Sequence, residues 1–408
     1  MRRWLKITLP LVTLWLVVGF ASQAQAATVS GRASTVIEWF DTADEETAVP
    51  IYQYLNLNVS NIAEKGWYFR TYGRVSGDVN DEVDADSRLY YAYLEKRNLL
   101  KNLDLKLGRQ FIVTTAGASM MDGLYLDYRQ LGPVDVAIFG GGDATFYEGY
   151  HADDLIVGGE VSGRFLDRLD LAASYLQKWD QSDLSHELIG FDAELELGPV
   201  NVYNESQYSL LTEEMTYVLW GAVWRPGLDW SLRGEYLYSL PVFSSTSIYS
   251  VFAVDEYQEV MFEANYRLTE GLQLFGRVTQ EIYESVDDAT VFEAGLEKLR
   301  TERFSGYLIG TYRDDEDGQD LKGAKAHVAY LFTDKFEAGT GVHLDVLERV
   351  LGFIADDTGG DDTTSRRYWV DATVYLSNKM NVQGKLEYAE SDLWDEYFRG
   401  RVRLNVLF

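Results

Sequence analysis

The chain has 408 residues, no cysteine, and 65 acidic against 36 basic side chains, which gives a net charge of −29. The absence of cysteine excludes disulfides, thiolate metal sites, a cysteine nucleophile and covalent attachment of c-type haem. The acidic balance argues against a nucleic-acid partner, because proteins that bind nucleic acid present basic surfaces. The 28 tyrosines and 10 tryptophans are more than a soluble domain ordinarily needs, and the fold has to place them.

The first 26 residues have the pattern of a cleaved secretory signal peptide. They open with basic residues, continue with an apolar run from Ile7 to Phe20, and end at the small-residue cleavage site Ala24-Gln25-Ala26. The apolar run is shorter than the about 20 residues that a membrane-spanning helix needs. We therefore expect residues 1–26 to be removed on export and residues 27–408 to form one domain.

The rest of the chain repeats one pattern, in which about ten residues alternate between apolar and polar before a turn. The runs 55–60, 67–75, 232–238 and 259–266 show this alternation. A period of two residues predicts β-strands that have one apolar and one polar face.

The connections between these predicted strands also alternate in kind. Leu131–Val134 and Ser377–Met380 are tight, whereas Asp143–Asp154 and Glu348–Ser365 are longer and acidic. Short periplasmic turns and longer extracellular loops are typical of transmembrane β-barrels. The sequence therefore predicts an all-β fold, a single transmembrane antiparallel up-and-down β-barrel of about 22 strands, within a range of about 16–22.

A soluble β-propeller or β-sandwich is the rival interpretation. A propeller would show a repeat of roughly 40 residues, which is not visible, and a sandwich of this length would normally split into domains. Aromatic residues near predicted strand ends favour the barrel, because a lipid–water interface holds amphipathic rings in two girdles; the alternative is that they are buried core residues. The aromatic residues concerned are Trp39, Trp67, Tyr128, Tyr175, Trp179, Trp230, Tyr283 and Tyr312.

Two segments carry a family resemblance. Tyr397–Phe408 ends in phenylalanine, with apolar residues at every second position before it, and resembles the C-terminal signal of Gram-negative outer-membrane β-barrel proteins. That resemblance implies that the barrel-assembly machinery recognises Phe408. Leu105–Phe111, followed by Asp122-Gly123-Leu124, resembles strand pairs of porin-like and alginate-export-like barrels. The resemblance implies a porin-like protein of the outer membrane, in contact with lipid and lipopolysaccharide.

The alternation also predicts which charged side chains face the lumen. A basic wall is expected from strands at the two chain ends, which closure makes neighbours; it contains Arg32, Arg70, Arg74, Lys385, Arg399, Arg401 and Arg403. An acidic wall is expected from mid-chain strands and contains Asp192, Glu194, Glu205, Glu235, Glu259, Glu263, Glu293 and Glu297. Facing walls would orient dipolar solutes. Alternatively, these charges pair locally across strands and keep a wet lumen hydrated.

The predicted size raises a question about the lumen. Barrels of about 16–18 strands hold an aqueous channel, whereas those of about 22 strands are normally plugged. Because a strand is predicted from Val29, no N-terminal plug domain is expected. Either the strand count is too high, or loops fill the lumen, or another protein does. The apolar segment Pro241–Val254 is a candidate to fold inward or to dock a partner, unless it merely extends two strands.

These patterns predict a channel for passive diffusion of ions or small polar solutes, without enzymatic activity, cofactor or metal. One alternative is the barrel sheath of a porin–cytochrome complex, with a multihaem cytochrome as partner. Another is an outer-membrane hydrolase, because His151 with Asp153 and Asp154 resembles the acid–histidine pairing of omptin-type proteases. The acidic loops Asp314–Asp320 and Asp356–Asp362 could offer oxygens to Ca²⁺, but they lack the EF-hand ligand order, and solvated loop charge is the simpler account.

Overall fold

The computed structural model describes residues 27–42, 46–62, 65–144, 153–241, 256–315, 320–348, 362–391 and 394–408. The strands are β1 Thr28–Asp41, β2 Thr47–Ala48, β3 Pro50–Ile62, β4 Trp67–Asp78, β5 Arg88–Leu100, β6 Leu103–Thr114, β7 Gly117–Leu131, β8 Val134–Asp143, β9 Leu155–Phe165, β10 Leu169–Asp180, β11 Asp183–Leu197, β12 Val200–Ser209, β13 Glu214–Trp224, β14 Trp230–Ser239, β15 Tyr257–Thr269, β16 Leu272–Tyr283, β17 Ala289–Lys298, β18 Phe304–Asp315, β19 Leu321–Thr333, β20 Phe336–Glu348, β21 Asp362–Ser377, β22 Met380–Ser391 and β23 Trp394–Leu407. None of the described residues forms a helix long and apolar enough to cross a membrane.

The strands form a closed antiparallel barrel. The two-residue strand β2 pairs with β1 alone, through Phe40 and Asp41. Of the other 22 strands, each pairs with the next along the chain, and β1 completes the ring by pairing with both β3 and β23. The first and last strands run together from Arg32 opposite Leu407 to Phe40 opposite Arg399. The predicted all-β, up-and-down barrel of about 22 strands is therefore confirmed.

The tight turns lie at the end of the barrel where the first strand meets the last residue. There, Gly31 and Phe408 exchange two backbone hydrogen bonds, at 3.0 and 3.1 Å. Leu131 pairs directly with Val134, and Gly132 (φ 69°) adopts the left-handed conformation that such a short turn requires.

The connections at the opposite end are less uniform than the sequence predicts. The β6–β7 connection is only Thr115-Ala116, and the β10–β11 connection is only Gln181-Ser182. Gln181 and Ser182 both have positive φ, 50° and 71°, which matches a type I′ hairpin turn whose twist suits the flanking strands. The usual sequence signal for that turn contains asparagine or glycine, so the short hairpin was not predictable here.

Several expectations concern residues outside the described ranges. These are the signal peptide at residues 1–26, most of the apolar segment at 242–254, and His151. Residues 316–319 and 356–361 of the two acidic loops also lie there.

Candidate functional site

The two faces of the barrel wall differ in chemistry, and one contact identifies the inner face. The hydroxyl of Ser174 on β10 accepts a hydrogen bond from the backbone N–H of Ala116 at 2.6 Å. Ala116 lies at the tip of the β6–β7 hairpin, and β8 and β9 separate that hairpin from β10 in the sheet. To reach Ser174, the hairpin therefore has to cross one face of β8 and β9. The opposite face of β10 and β11 carries exposed apolar side chains, among them Tyr175 and Ile189, as a lipid-facing surface requires. The face with Ser174 is therefore the inner face.

The tip of the β6–β7 hairpin is fastened to the inner face at three neighbouring strands. Besides Ala116, Thr115 shares a hydrogen bond between its Oγ1 and the Ser174 Oγ, at 2.6 Å. The Thr115 backbone also bonds to Glu160 on β9. Gly190 on β11 leaves room for the tip, because a Cβ there would lie 2.0 Å from the Thr115 carbonyl carbon. The absence of a side chain at Gly190 is thus a condition for seating the hairpin.

An apolar cluster beneath the tip holds the hairpin against the wall. Met121 is fully buried, and Ile156 and Leu176 are each 1% exposed. The cluster consists of Ile112, Ala116, Met121, Phe139, Ile156, Leu176 and Leu188. In a wet lumen this packing stabilises the folded-in position through removal of apolar surface from water.

The hairpin leaves the wall at Gly108. Pairing between β5 and β6 stops at Ala92 opposite Arg109, whereas β6 and β7 stay paired to their tip. Gly108 has a φ of 125°, and a Cβ there would lie 2.4 Å from the Ala92 carbonyl oxygen. At the bend, Arg109 donates two hydrogen bonds to Asp122, at 2.7 and 2.6 Å. The segment with the porin-like resemblance is therefore the base of the inward hairpin.

Sequence reasoning missed this hairpin, although a signal was present. Ile112 and Met121 occupy positions that the alternation assigns to the inner face, where a water-filled lumen would favour polar residues. Two apolar residues at inner positions on paired strands indicate that something packs there, and glycines at 108, 117 and 123 mark the bend and the tip. The sequence left open whether loops or another protein fill the lumen of so large a barrel. The inward β6–β7 hairpin occupies part of it.

The residues of the expected basic wall lie on the inner face, on strands that the closure brings together. The register sets Arg403, Arg401 and Arg399 opposite Gln383, Lys385 and Glu387 on β22. All seven predicted residues share this face: Arg32, Arg70, Arg74, Lys385, Arg399, Arg401 and Arg403.

Some of these cations have carboxylate partners. Arg399 contacts Glu38 at 3.0 Å, and Lys385 contacts Glu387 at 2.5 Å. Arg403 instead donates to the amide oxygen of Asn405, at 2.9 Å, and Arg401 lies opposite Glu38 in the register. The basic wall is therefore a mixed surface with an excess of cations.

The residues of the expected acidic wall also share the inner face: Asp192, Glu194, Glu205, Glu235, Glu259, Glu263, Glu293 and Glu297. An ion-pair ladder crosses part of this surface. The Arg277 guanidinium lies 2.6 Å from Glu263 and 3.0 Å from Glu293. Arg233 lies 3.6 Å from Glu235 and 4.0 Å from Glu263.

The other acidic residues have neutral or acidic neighbours. Asp192 and Glu205 lie directly opposite each other on β11 and β12. Glu194 accepts a hydrogen bond from Asn201 at 2.7 Å, and Glu259 accepts one from Tyr257 at 2.8 Å. Local pairing and a residual acidic surface therefore coexist on these strands.

The tyrosines are distributed differently from the expectation. Tyr128, Tyr175 and Tyr312 are exposed on the outer face. The assignment of Tyr283 to an interfacial girdle is wrong, because the register sets it opposite Tyr257 on the inner face, with its ring centroid 5.2 Å away.

A larger group of tyrosines lines the inner face of β3, β4 and β5. We call it the tyrosine wall, and it consists of Tyr52, Tyr54, Tyr72, Tyr90, Tyr91 and Tyr93. A tyrosine suits a wet lumen as well as a lipid interface, since its ring is amphipathic.

Two of the histidines are built into the inner wall. His327 stacks between Tyr307 and Trp369, and its Nε2 lies 2.8 Å from Asp371. His343 contacts Asp345 at 3.0 Å. Among the described residues, no group of three or more histidine and carboxylate side chains is placed to hold a metal ion.

No protein-family model matches this sequence, and no curated protein matches it either. Solved structures with a similar fold include the translocation pore of the P pilus usher PapC, with a TM-score of 0.53, 9% identity, and 93% of this chain and 99% of that chain covered. Another is Pseudomonas aeruginosa OpdQ, with a TM-score of 0.48, 11% identity, and 94% and 99% covered. At these identities the likeness shows the fold alone, which is a closed antiparallel β-barrel.

Proposed function

We propose that this protein is an outer-membrane porin-like channel, through which ions or small polar solutes diffuse passively. The observation that carries the proposal is the division of the closed wall into an apolar outer face and a charged inner face. Lipid surrounds a barrel of this kind and water fills it. Its surroundings would be outer-membrane lipid and lipopolysaccharide, and Phe408 would serve its insertion by the barrel-assembly machinery.

The inner wall supplies the selectivity in this proposal. The basic wall on β1, β4, β22 and β23 and the acidic wall on β11, β12, β14, β15 and β17 would bias permeation by charge, as rings of charged side chains do in other channels. The inward β6–β7 hairpin would narrow the lumen on the side of β8 to β11. The charged walls would determine which ions pass, and the hairpin would limit the size of the solutes that pass.

Planar-bilayer recordings of the purified protein test this function. In a salt gradient, we expect ohmic conductance, and replacing Arg399, Arg401 and Arg403 together by glutamine should shift the reversal potential toward cation selectivity. A matched control replaces Glu263 and Arg277 by glutamine, which removes one charge of each sign. Unchanged reversal potentials in the triple variant would contradict the role of the basic wall. Absence of conductance in the wild type would contradict the channel.

A barrel of 22 strands is large enough to enclose a partner, which supports a second candidate, the sheath of a porin–cytochrome conduit. The chain has no cysteine, so any haem would belong to the partner. Purification from the native membrane in mild detergent, followed by a haem stain, separates the two. A haem-bearing protein that stays in equal amounts with the barrel supports the sheath.

A further inference from the structure

The tyrosine wall forms a continuous aromatic surface on one side of the lumen. Tyr72 lies at its centre, with ring centroids 4.7 Å from Tyr90, 5.9 Å from Tyr91 and 6.3 Å from Tyr54. Tyr52 and Tyr93 extend it at the two ends, and all six side chains are half-buried, so that each ring keeps part of its surface toward the lumen. A solute in the lumen therefore meets aromatic faces here.

Arginines are interleaved with these rings. Arg74 lies directly opposite Tyr54, and its guanidinium lies 5.0 Å from the centroid of the Tyr52 ring. Arg70 lies opposite Tyr93. Arg32 on β1 lies opposite Asn56 on β3, which in turn lies opposite Tyr72. Each tyrosine thus lies on the same strand as one of these arginines or on a neighbouring strand.

Two carboxylates of the same region are already bound by arginines. Glu38 on β1 is bound by Arg399 at 3.0 Å. Glu95 on β5 is buried and is bound by Arg97 at 2.5 Å and by Arg70 at 3.4 Å. The tyrosine wall therefore combines partly exposed aromatic faces with a local excess of positive charge.

A second pair of inner-face tyrosines lies in the opposite electrostatic setting. Tyr257 and Tyr283 have ring centroids 5.2 Å apart, but their hydroxyls donate to Glu259 at 2.8 Å and to Glu281 at 3.2 Å. The guanidinium of Arg313 lies 3.1 Å from Glu281 and 2.6 Å from Asp315, so that three carboxylates outnumber one guanidinium there and the site disfavours an anion. The chain therefore contains its own control for separating aromatic contact from charge.

We propose that the tyrosine wall binds planar aromatic anions, and aromatic carboxylates in particular. This inference rests on the proposed channel function, because the solute reaches the wall through the lumen. The ring of the solute stacks on a tyrosine face, an interaction that aromatic pairs make in offset or edge-on geometry. Its carboxylate accepts hydrogen bonds from the guanidinium group of Arg74 or Arg32. A guanidinium group can donate two parallel hydrogen bonds to one carboxylate.

Benzoate and cyclohexanecarboxylate are matched probes, because both carry one carboxylate on a six-membered ring and only benzoate is flat and aromatic. We expect benzoate to half-block the ion current in planar bilayers at a concentration about 2- to 10-fold lower than cyclohexanecarboxylate does. Replacing Tyr72 by leucine should remove that difference, whereas Tyr257→Leu should preserve it. Equal block by the two acids in the wild type, or a preference that survives Tyr72→Leu and Tyr54→Leu, would overturn the proposal.

Calorimetric titration of the detergent-solubilised, full-length barrel with the same two acids makes the test independent of conduction. A barrel that conducts but binds both acids equally overturns the tyrosine wall and leaves the channel standing. A barrel that prefers benzoate but carries no current overturns the channel, while the preference supports the wall. Circular dichroism at the β-sheet band checks that each variant is folded.

Discussion

The hydroxyl of Ser174 accepts a hydrogen bond from the backbone N–H of Ala116 at 2.6 Å, and so ties a hairpin tip to a strand three positions around the barrel. Without this acceptor, a buried backbone donor at the tip would lose its partner, which costs about 1–3 kcal/mol. The same hydroxyl also bonds to Thr115. One serine thus fixes the position of the inward hairpin.

A side chain at position 190 should displace this hairpin. Gly190→Val places a Cβ within 2.1 Å of the Ala116 nitrogen, so that the tip has to leave its seat. We expect larger single-channel conductance and faster cleavage by an added protease at the tip. Gly310→Val is the matched control, since a Cβ there meets nothing within 4 Å. Wild-type conductance in Gly190→Val would show that the hairpin does not restrict the pore.

A disulfide should lock the same contact. Thr115 and Ser174 have side-chain oxygens 2.6 Å apart, and the chain has no cysteine of its own. In a Thr115→Cys, Ser174→Cys variant, the two introduced thiols are therefore the sole thiols. Under oxidation, we expect conductance like that of the wild type, because the bond replaces the hydrogen bond. Reduction should raise the conductance and its noise. Recordings before and after a reducing agent measure this on one preparation, and identical traces would contradict a hairpin held by this contact.

The period-two pattern made the architecture predictable, because a strand between lipid and water has to alternate. Each run such as 67–75 predicts one strand, and tight turns such as 131–134 and 377–380 join consecutive strands into hairpins. Pairing of the two terminal strands then follows from closure. The alternation also predicts that Arg399, Arg401 and Arg403 share one face, because they occupy every second position of one strand.

The inward hairpin and the tyrosine wall were less predictable. Alternation distinguishes two faces but not the point at which a hairpin leaves the wall, which depends on the fit of Thr115 over Gly190, two positions far apart in sequence. Tyrosine is equally suited to a lipid interface and to a wet lumen, so its abundance alone does not assign Tyr72 or Tyr283 to a face. Contacts between distant strands and the register decide both.

Removal of Arg277 should shift ion selectivity toward cations. Its guanidinium lies 2.6 Å from Glu263 and 3.0 Å from Glu293. Arg277→Gln therefore takes the near counter-charge from both carboxylates and leaves Glu263 with Arg233 alone, at 4.0 Å. Reversal potentials in a salt gradient measure the change. Arg277→Lys retains the charge and should retain the selectivity. A shift of equal size in the lysine variant would attribute the effect to altered packing instead of charge.

Closure of the barrel should depend on the contact between Gly31 and Phe408. Their backbones exchange two hydrogen bonds, and a Cβ on Gly31 would lie 2.8 Å from the Phe408 ring and 2.3 Å from the Asn56 carbonyl oxygen. Gly31→Val therefore has to separate β1 from β23 or from β3 at the end where the ring closes. We expect a lower yield of folded barrel in the outer membrane, measured as the fraction that resists unfolding in detergent without heating.

Phe408→Ala keeps the backbone hydrogen bonds but removes the ring. It should lower the yield of folded barrel by impairing recognition during assembly. The stability of the barrels that do fold should stay nearly unchanged. Equal loss of yield and of stability in both variants would assign Phe408 a packing role only.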